Sequence, residues 1–212
     1  MVVLLLLSVL ATTIILLKLY QFSRSALRQT GFIEHSLSTL HSGQKDLALR
    51  ALQRQHNPVA RVMESALRAG ANPRMASNDV EAEVSRVGSA QIRNLESWLR
   101  GLSAIAHLSP LLGLLGTVTG MINAFMRLEE AGSRVDPSIL SGGIWEALLT
   151  TAFGLMVAIP AMAAFYYLEG EVDHARAAMK DASVRVLLHF GKSPLHIATR
   201  DDAKPEQEAY GV

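Results

Sequence analysis

One ionisable residue, Glu146, lies inside a long apolar stretch that runs from Ile139 to Leu168. About 20 apolar residues suffice to cross a bilayer, so this stretch is predicted to span a membrane. A carboxylate inside such a helix costs roughly 2.5 kcal/mol or more, and it is therefore expected to face a protein interior or a wet cavity. The chemistry that this arrangement favours is the handling of an ion or a proton.

Four threonines accompany the glutamate. Thr150 and Thr151 follow Glu146 by four and five residues, which places Thr150 nearly above the carboxylate on the helix face and Thr151 rotated but adjacent. Thr117 and Thr119 lie in a second apolar stretch. Because hydroxyls in a membrane helix often bond back to carbonyls of their own helix, these residues are either structural or line a narrow polar path.

Glu146 itself leaves three interpretations open. It is a proton-handling group, a hydrogen-bonded structural carboxyl, or a side chain near the outer interface, since the apolar run is longer than one bilayer needs. Elsewhere the chain offers no other chemistry. Its seven histidines lack metal-ligand spacing, it has no cysteine, and it contains no nucleotide-binding or nucleophile motif. We therefore expect that the protein is not an enzyme and that it binds no cofactor. Its net charge of +1, without a basic cluster, argues against nucleic acid as a partner.

Three apolar blocks separated by charged, helix-prone sequence predict an all-α membrane protein in contact with the lipid bilayer. The first block is a transmembrane anchor rather than a signal peptide, because no basic residue precedes it and no cleavage pattern ends it. The predicted segments are a first span at 1–22, a cytoplasmic helical region at 23–101, a second span at 102–126, a periplasmic loop at 127–138, a third span at 139–168, a cytoplasmic helical extension at 169–191 and a flexible tail at 192–212.

Charge predicts the orientation of these spans. The segment 24–100 carries eleven basic and seven acidic residues, whereas the loop 127–138 carries two basic and three acidic ones. Because basic loops remain in the cytoplasm, the N-terminus is expected outside and the C-terminus inside.

Helix boundaries can be predicted in the cytoplasmic part. Asn57 before Pro58 fits an N-cap followed by proline in the first turn, and Gly70 fits the matching stop. No clear break separates the helical pattern that begins near Asn78 from the second span, which predicts one continuous helix. The extension of the third span is expected to end at Gly191.

Small residues in the second span predict close helix packing. Gly116 and Gly120 form a G-x-x-x-G pair, which Gly113 extends. Pro110 is expected either to kink this span or to occupy its first turn, and Pro160 is assigned to packing in the third span.

The two inner spans resemble the MotA/TolQ/ExbB family, most closely its ExbB and TolQ branch. The resemblance rests on the segments PLLGLLGTVTG (110–120) and GIWEALLTTAFGLMVAIPA (143–161), and on the order of anchor, cytoplasmic insert and hairpin. Two features differ from the family pattern. Thr119 stands where many relatives have an aromatic residue, and the first span begins almost at Met1, so we expect no outer extension before it.

The resemblance implies a proton-driven motor subunit of the bacterial inner membrane. Such subunits form a homopentamer around a single-span ExbD/TolR-like protein and energise a TonB/TolA-like protein for outer-membrane transport. Glu146, Thr117 and Thr151 match the pore-lining residues of the family, so the resemblance favours Thr151 over Thr150. The alternatives are a TolQ-type cell-envelope motor or a flagellar-type stator within the family, and a passive membrane scaffold outside it.

Overall fold

The computed structural model describes residues 2–25, 27, 31–130 and 137–192. Over these ranges the chain is helical and contains no strand, which agrees with the all-α prediction. The helices, in chain order, are α1 (Val2–Ser25), α2 (Gly31–His41), α3 (Lys45–Gln53), α4 (Pro58–Gly70), α5 (Ser77–Glu96), α6 (Leu99–Glu130) and α7 (Pro137–His189).

The chain divides into two compact units. The first, called here the membrane unit, comprises residues 1–21 and 96–170, and the second, the hydrophilic unit, comprises residues 22–95 and 171–212. Three helices of the described chain are long and apolar enough to cross a bilayer, which agrees in number with the three predicted spans. The protein is therefore a multi-pass membrane protein by the length and composition of its helices.

In the membrane unit many of the buried side chains are small, and many of the large apolar ones are exposed. Its interior includes Ala106, Ala147 and Ala161, which are at most 2% exposed, whereas Leu111 and Ile159 are at least 60% exposed. A helix surface that faces lipid has no need to bury leucine, because lipid tails are equally apolar. Small residues face the neighbouring helix instead and let the backbones approach.

The hydrophilic unit has the opposite arrangement. Its core contains large apolar side chains with at most 3% exposure, namely Leu37, Leu40, Leu52, Val62, Met63, Val80, Val84, Met179 and Leu187. Its surface carries ion pairs, of which Arg185 with Glu34 joins α7 to α2 at 2.6 Å. This pattern is that of a water-soluble helical core, which is stabilised by removing apolar area from water.

Local capping in the hydrophilic unit agrees with the sequence. The Asn57 side chain accepts a hydrogen bond of 2.9 Å from the backbone N–H of Val59, and Pro58 begins α4. The helix ends at Gly70, as predicted. The last residue of α7 is His189, and Gly191 follows it by two residues. Gly191 has a φ of +68°, a conformation that glycine adopts without steric cost and that is common just after the end of a helix.

One prediction for this part of the chain is wrong. The expected continuous helix from Asn78 into the second span is interrupted, because α5 ends at Glu96 and α6 begins at Leu99. Between them Trp98 has a φ of +67°. A bulky residue is rarely found in the left-handed region. The position carries neither glycine nor proline, so nothing in the sequence indicated that the helix is interrupted here.

Two further expectations meet the structure only in part. Pro110 lies well inside α6 rather than in its first turn, and Pro160 lies inside α7. α6 extends as far as Glu130 and α7 begins at Pro137, so only the ends of the predicted loop are described. The predicted flexible tail falls outside the described residues apart from Lys192.

Candidate functional site

Glu146 lies on α7 with its side chain on the exposed surface of the single chain. The next residue, Ala147, is 2% exposed and packs against α6. Within the described residues, no side chain donates a hydrogen bond to the Glu146 carboxylate or forms an ion pair with it. The sequence predicted that Glu146 would face a protein interior or a wet cavity, and one chain alone supplies neither.

Thr150 and Thr151 turn towards α6 rather than towards the carboxylate. The Thr150 hydroxyl donates to the backbone carbonyl of Glu146 at 3.1 Å, and its side chain lies against Gly116. The Thr151 hydroxyl donates to the backbone carbonyl of Gly113 at 3.0 Å. Thr151 is thus the one candidate threonine with a hydrogen bond between two membrane helices.

The threonines of α6 bond within their own helix. The Thr117 hydroxyl donates to the carbonyl of Leu114 at 2.7 Å, and the Thr119 hydroxyl approaches the carbonyls of Leu115 and Gly116 at 3.0 and 3.1 Å. Each hydroxyl proton is occupied by a carbonyl, while the hydroxyl oxygens keep lone pairs that can accept a bond. Thr117 is partly exposed, so its oxygen can be reached from outside the helix pair.

The glycines of α6 lie against the backbone of α7. A Cβ atom added at Gly113 would stand 3.1 Å from the Cα of Thr151, and one at Gly120 would stand 2.9 Å from the Cβ of Ala147. Gly116 faces the Thr150 side chain with no room for a methyl group. This line of contacts is called the α6–α7 seam below, and it fixes the register of the threonines relative to the two helices.

Two residues of the seam were missed in the sequence. Gly154 of α7 lies so close to α6 that an added Cβ would stand 2.7 Å from the carbonyl oxygen of Ser109, and Gly143 lies against Ala124. A signal was present, because small residues recur on α7 at Gly143, Ala147, Gly154, Ala158 and Ala161. Their spacing of three, four or seven residues places them on one face of the helix.

The geometry separates the candidate groups within one chain. Glu146 and Thr151 are five residues apart, which turns their side chains by about 140° around the helix. Thr151 enters the seam, whereas Glu146 points away from it. The expected polar path beside Glu146 is therefore not assembled by the described residues of one chain.

No metal centre competes with this assignment in the part of the chain that the structure describes. Groups of three or more histidine, aspartate or glutamate side chains that could hold a metal ion are absent from residues 2–25, 31–130 and 137–192.

Comparison with known proteins identifies the class. The model of the MotA/TolQ/ExbB proton channel family matches residues 54–181, which include α4 to α6 and most of α7. The chain belongs to this family.

Individual relatives support the same conclusion. The chain is 36% identical over 126 residues to a biopolymer transport protein ExbB homolog of Methanothermobacter thermautotrophicus, covering 59% of this chain and 43% of the relative. It is 35% identical over 119 residues to the biopolymer transport protein exbB1 of Vibrio cholerae, covering 56% and 52%. The Tol-Pal system protein TolQ of Haemophilus influenzae is 36% identical over 109 residues, covering 49% and 47%. The chain thus spans about half the length of these relatives.

Proposed function

We propose that the chain is a proton-channel subunit of an inner-membrane complex that uses the proton-motive force to energise a TonB-like partner. The family assignment supports the class of function. The relatives include both ExbB-type and TolQ-type proteins. If the chain is of the ExbB type, the partner that it energises is TonB-like; if it is of the TolQ type, the partner is TolA-like.

The observation that carries this proposal is the exposed carboxyl group of Glu146 on an apolar helix. Around it Trp145, Leu148 and Leu149 are exposed, so the carboxyl group stands in a surface that is otherwise fit for lipid. A charged group against lipid is costly, and such residues face other protein surfaces or water. We infer that a second protein surface covers Glu146 in the working complex.

The proposed assembly supplies that surface. Copies of this chain, five by the family pattern, surround a single-span ExbD/TolR-like helix. Glu146 and Thr117 face the space between them, and Thr151 lies behind them in the α6–α7 seam. Thr151 keeps α7 in register with α6 through its bond to Gly113, while the oxygen of Thr117 is open to a water molecule. Protons then pass along the outside of the hairpin, from carboxyl group to water.

The proposed orientation follows from charge. The hydrophilic unit, with its basic excess before the second span, lies in the cytoplasm, and the link between α6 and α7 lies in the periplasm.

The decisive experiment removes titration at one position. Glu146→Gln keeps the size of the side chain and its capacity for hydrogen bonds but can no longer release a proton. The complex, extracted gently with its natural partner and placed in liposomes with a pH-sensitive dye inside, should lose proton influx to the level of empty liposomes. Glu129→Gln, an exposed glutamate near the end of α6, is the matched control and should keep the flux.

Unchanged proton influx in Glu146→Gln would contradict the proposal and favour the passive scaffold. The scaffold also predicts that Gly120→Leu disrupts the complex while Glu146→Gln leaves envelope function intact. Mass identification of the co-extracted single-span protein separates the ExbB-type motor from the TolQ-type motor and from a flagellar-type stator, because each has a different partner.

A further inference from the structure

The interruption between α5 and α6 has no local cause in the sequence. α5 ends at Glu96 and α6 begins at Leu99, and the residues between them are serine and tryptophan. Neither residue breaks helices as glycine or proline does. Trp98 nevertheless has a φ of +67°, a conformation that places its Cβ too close to the following carbonyl and costs free energy.

A contact from another helix coincides with this interruption. Lys18 of α1 donates hydrogen bonds from its ammonium group to the Ser97 hydroxyl at 3.2 Å and to the Gln21 side-chain oxygen at 3.0 Å. The lysine is only 2% exposed, whereas Trp98 beside the contact is 70% exposed. An ammonium group buried to this degree has to be paired, so its acceptors are held firmly.

The position of Lys18 also suits the end of a helix. Ser97 directly follows the last residue of α5. The carboxyl end of a helix carries partial negative charge and unsatisfied carbonyl groups, which favour a cation there.

We propose that Lys18 is a positioning residue that keeps Ser97 and Trp98 out of the helical conformation and thereby determines where α6 begins. The local sequence favours a continuous helix, and the buried ammonium group on α1 opposes it. α6 carries Thr117, so Lys18 fixes the start of the helix on which that residue stands. This inference is independent of the proposed proton channel, because it concerns backbone conformation alone.

Amide hydrogen exchange in the full-length protein tests the proposal. In Lys18→Met, the amides of residues 98–101 should gain acceptors in the preceding turn, and their exchange should slow about tenfold. Lys18→Arg keeps a cation of sufficient reach and should exchange like the wild type. Lys192→Met is the matched control, since it removes another lysine, one that donates to the carbonyl of Met75 at 2.7 Å in the hydrophilic unit, and it should leave residues 98–101 unchanged.

A spectroscopic readout accompanies the exchange measurement. With Trp145→Phe in all variants, Trp98 is the one tryptophan of the chain, and Lys18→Met should change its emission maximum and its quenching by acrylamide. Unchanged or faster exchange at residues 98–101 in Lys18→Met would overturn the proposal. If the Lys18 contact only stabilised the helix ends, its loss would let them fray and their amides would exchange faster. If Lys18→Met does not accumulate, Lys18→Gln serves the same comparison under the same criteria.

Discussion

The two units of the chain reach stability by opposite uses of side-chain size. In the membrane unit the contact between α6 and α7 is made by glycine, alanine and threonine, with backbones close enough that a methyl group at Gly154 would collide with Ser109. In the hydrophilic unit the contacts are made by leucine, valine and methionine, and Met63 and Leu40 are at most 1% exposed.

This difference follows from the solvent of each unit. Water drives large apolar side chains together, so the hydrophilic unit gains free energy with every methylene group that it buries. Lipid gives no such gain, and the membrane unit depends on van der Waals contact and on bonds such as that from Thr151 to the carbonyl of Gly113. Enlarging a side chain should therefore damage one unit, and shortening a side chain should damage the other.

The largest effect is expected from Gly154→Leu in the seam. Since the atoms that a side chain would meet belong to the backbone of α6, they cannot move aside, and the membrane unit should lose more than about 3 kcal/mol. Size-exclusion chromatography of the detergent-extracted protein should show aggregate in place of a single species. Gly142→Leu on the same helix has open space around it and should behave like the wild type; equal damage from both would refute the seam as the cause.

A smaller effect is expected from Met63→Ala in the hydrophilic unit. The substitution leaves a cavity in a core position, which should cost about 3 kcal/mol of folding free energy. Thermal unfolding followed by circular dichroism measures the loss. Leu47→Ala removes an apolar side chain that is 54% exposed and should change stability by less than about 0.5 kcal/mol. Equal losses for the two variants would contradict the assignment of Met63 to the core.

The smallest effect is expected at the ion pair of Glu34. The hydrogen bond from Arg185 lowers the pKa of the Glu34 carboxyl group, so the pair stabilises the fold above the unfolded pKa of about 4.3 and the contribution is lost as the pH falls through the folded value. Glu34→Gln should therefore melt at a lower temperature than the wild type at pH 7, and the difference should vanish as the pH falls through the lowered pKa of Glu34.

The control for this pair is the Arg185→Gln background. There, Glu34→Gln should have no further effect on the melting temperature at any pH, because the partner is already absent. A difference between wild type and Glu34→Gln that persisted at low pH would show that the glutamate acts by packing rather than by charge.

The sequence was sufficient for features that depend on neighbouring residues. Asn57 and Pro58 begin α4 and Gly191 follows the end of α7 because capping is a property of one turn. The three apolar blocks predicted three long helices for the same reason, since the length and composition of a segment decide whether it can cross a bilayer.

Features that depend on another helix could not be predicted. The interruption at Trp98 coincides with a contact from Lys18, which is 79 positions away from Ser97 in sequence. Thr150 and Thr151 were expected near the carboxylate from their spacing, but the seam takes up both side chains and leaves Glu146 outside. The direction in which Glu146 points follows from which face of α7 carries the small residues, and that face was overlooked.

The closeness of the seam has a consequence for any path across the membrane. A file of water molecules needs a passage about 3 Å wide, and the seam offers less than the space of one methyl group at Gly113, Gly120 and Gly154. The contact between α6 and α7 within one chain therefore leaves no room for a continuous file of water molecules. In the proposed complex, protons would then pass along the outer faces of several such hairpins, and the number of hairpins would determine the width of the passage.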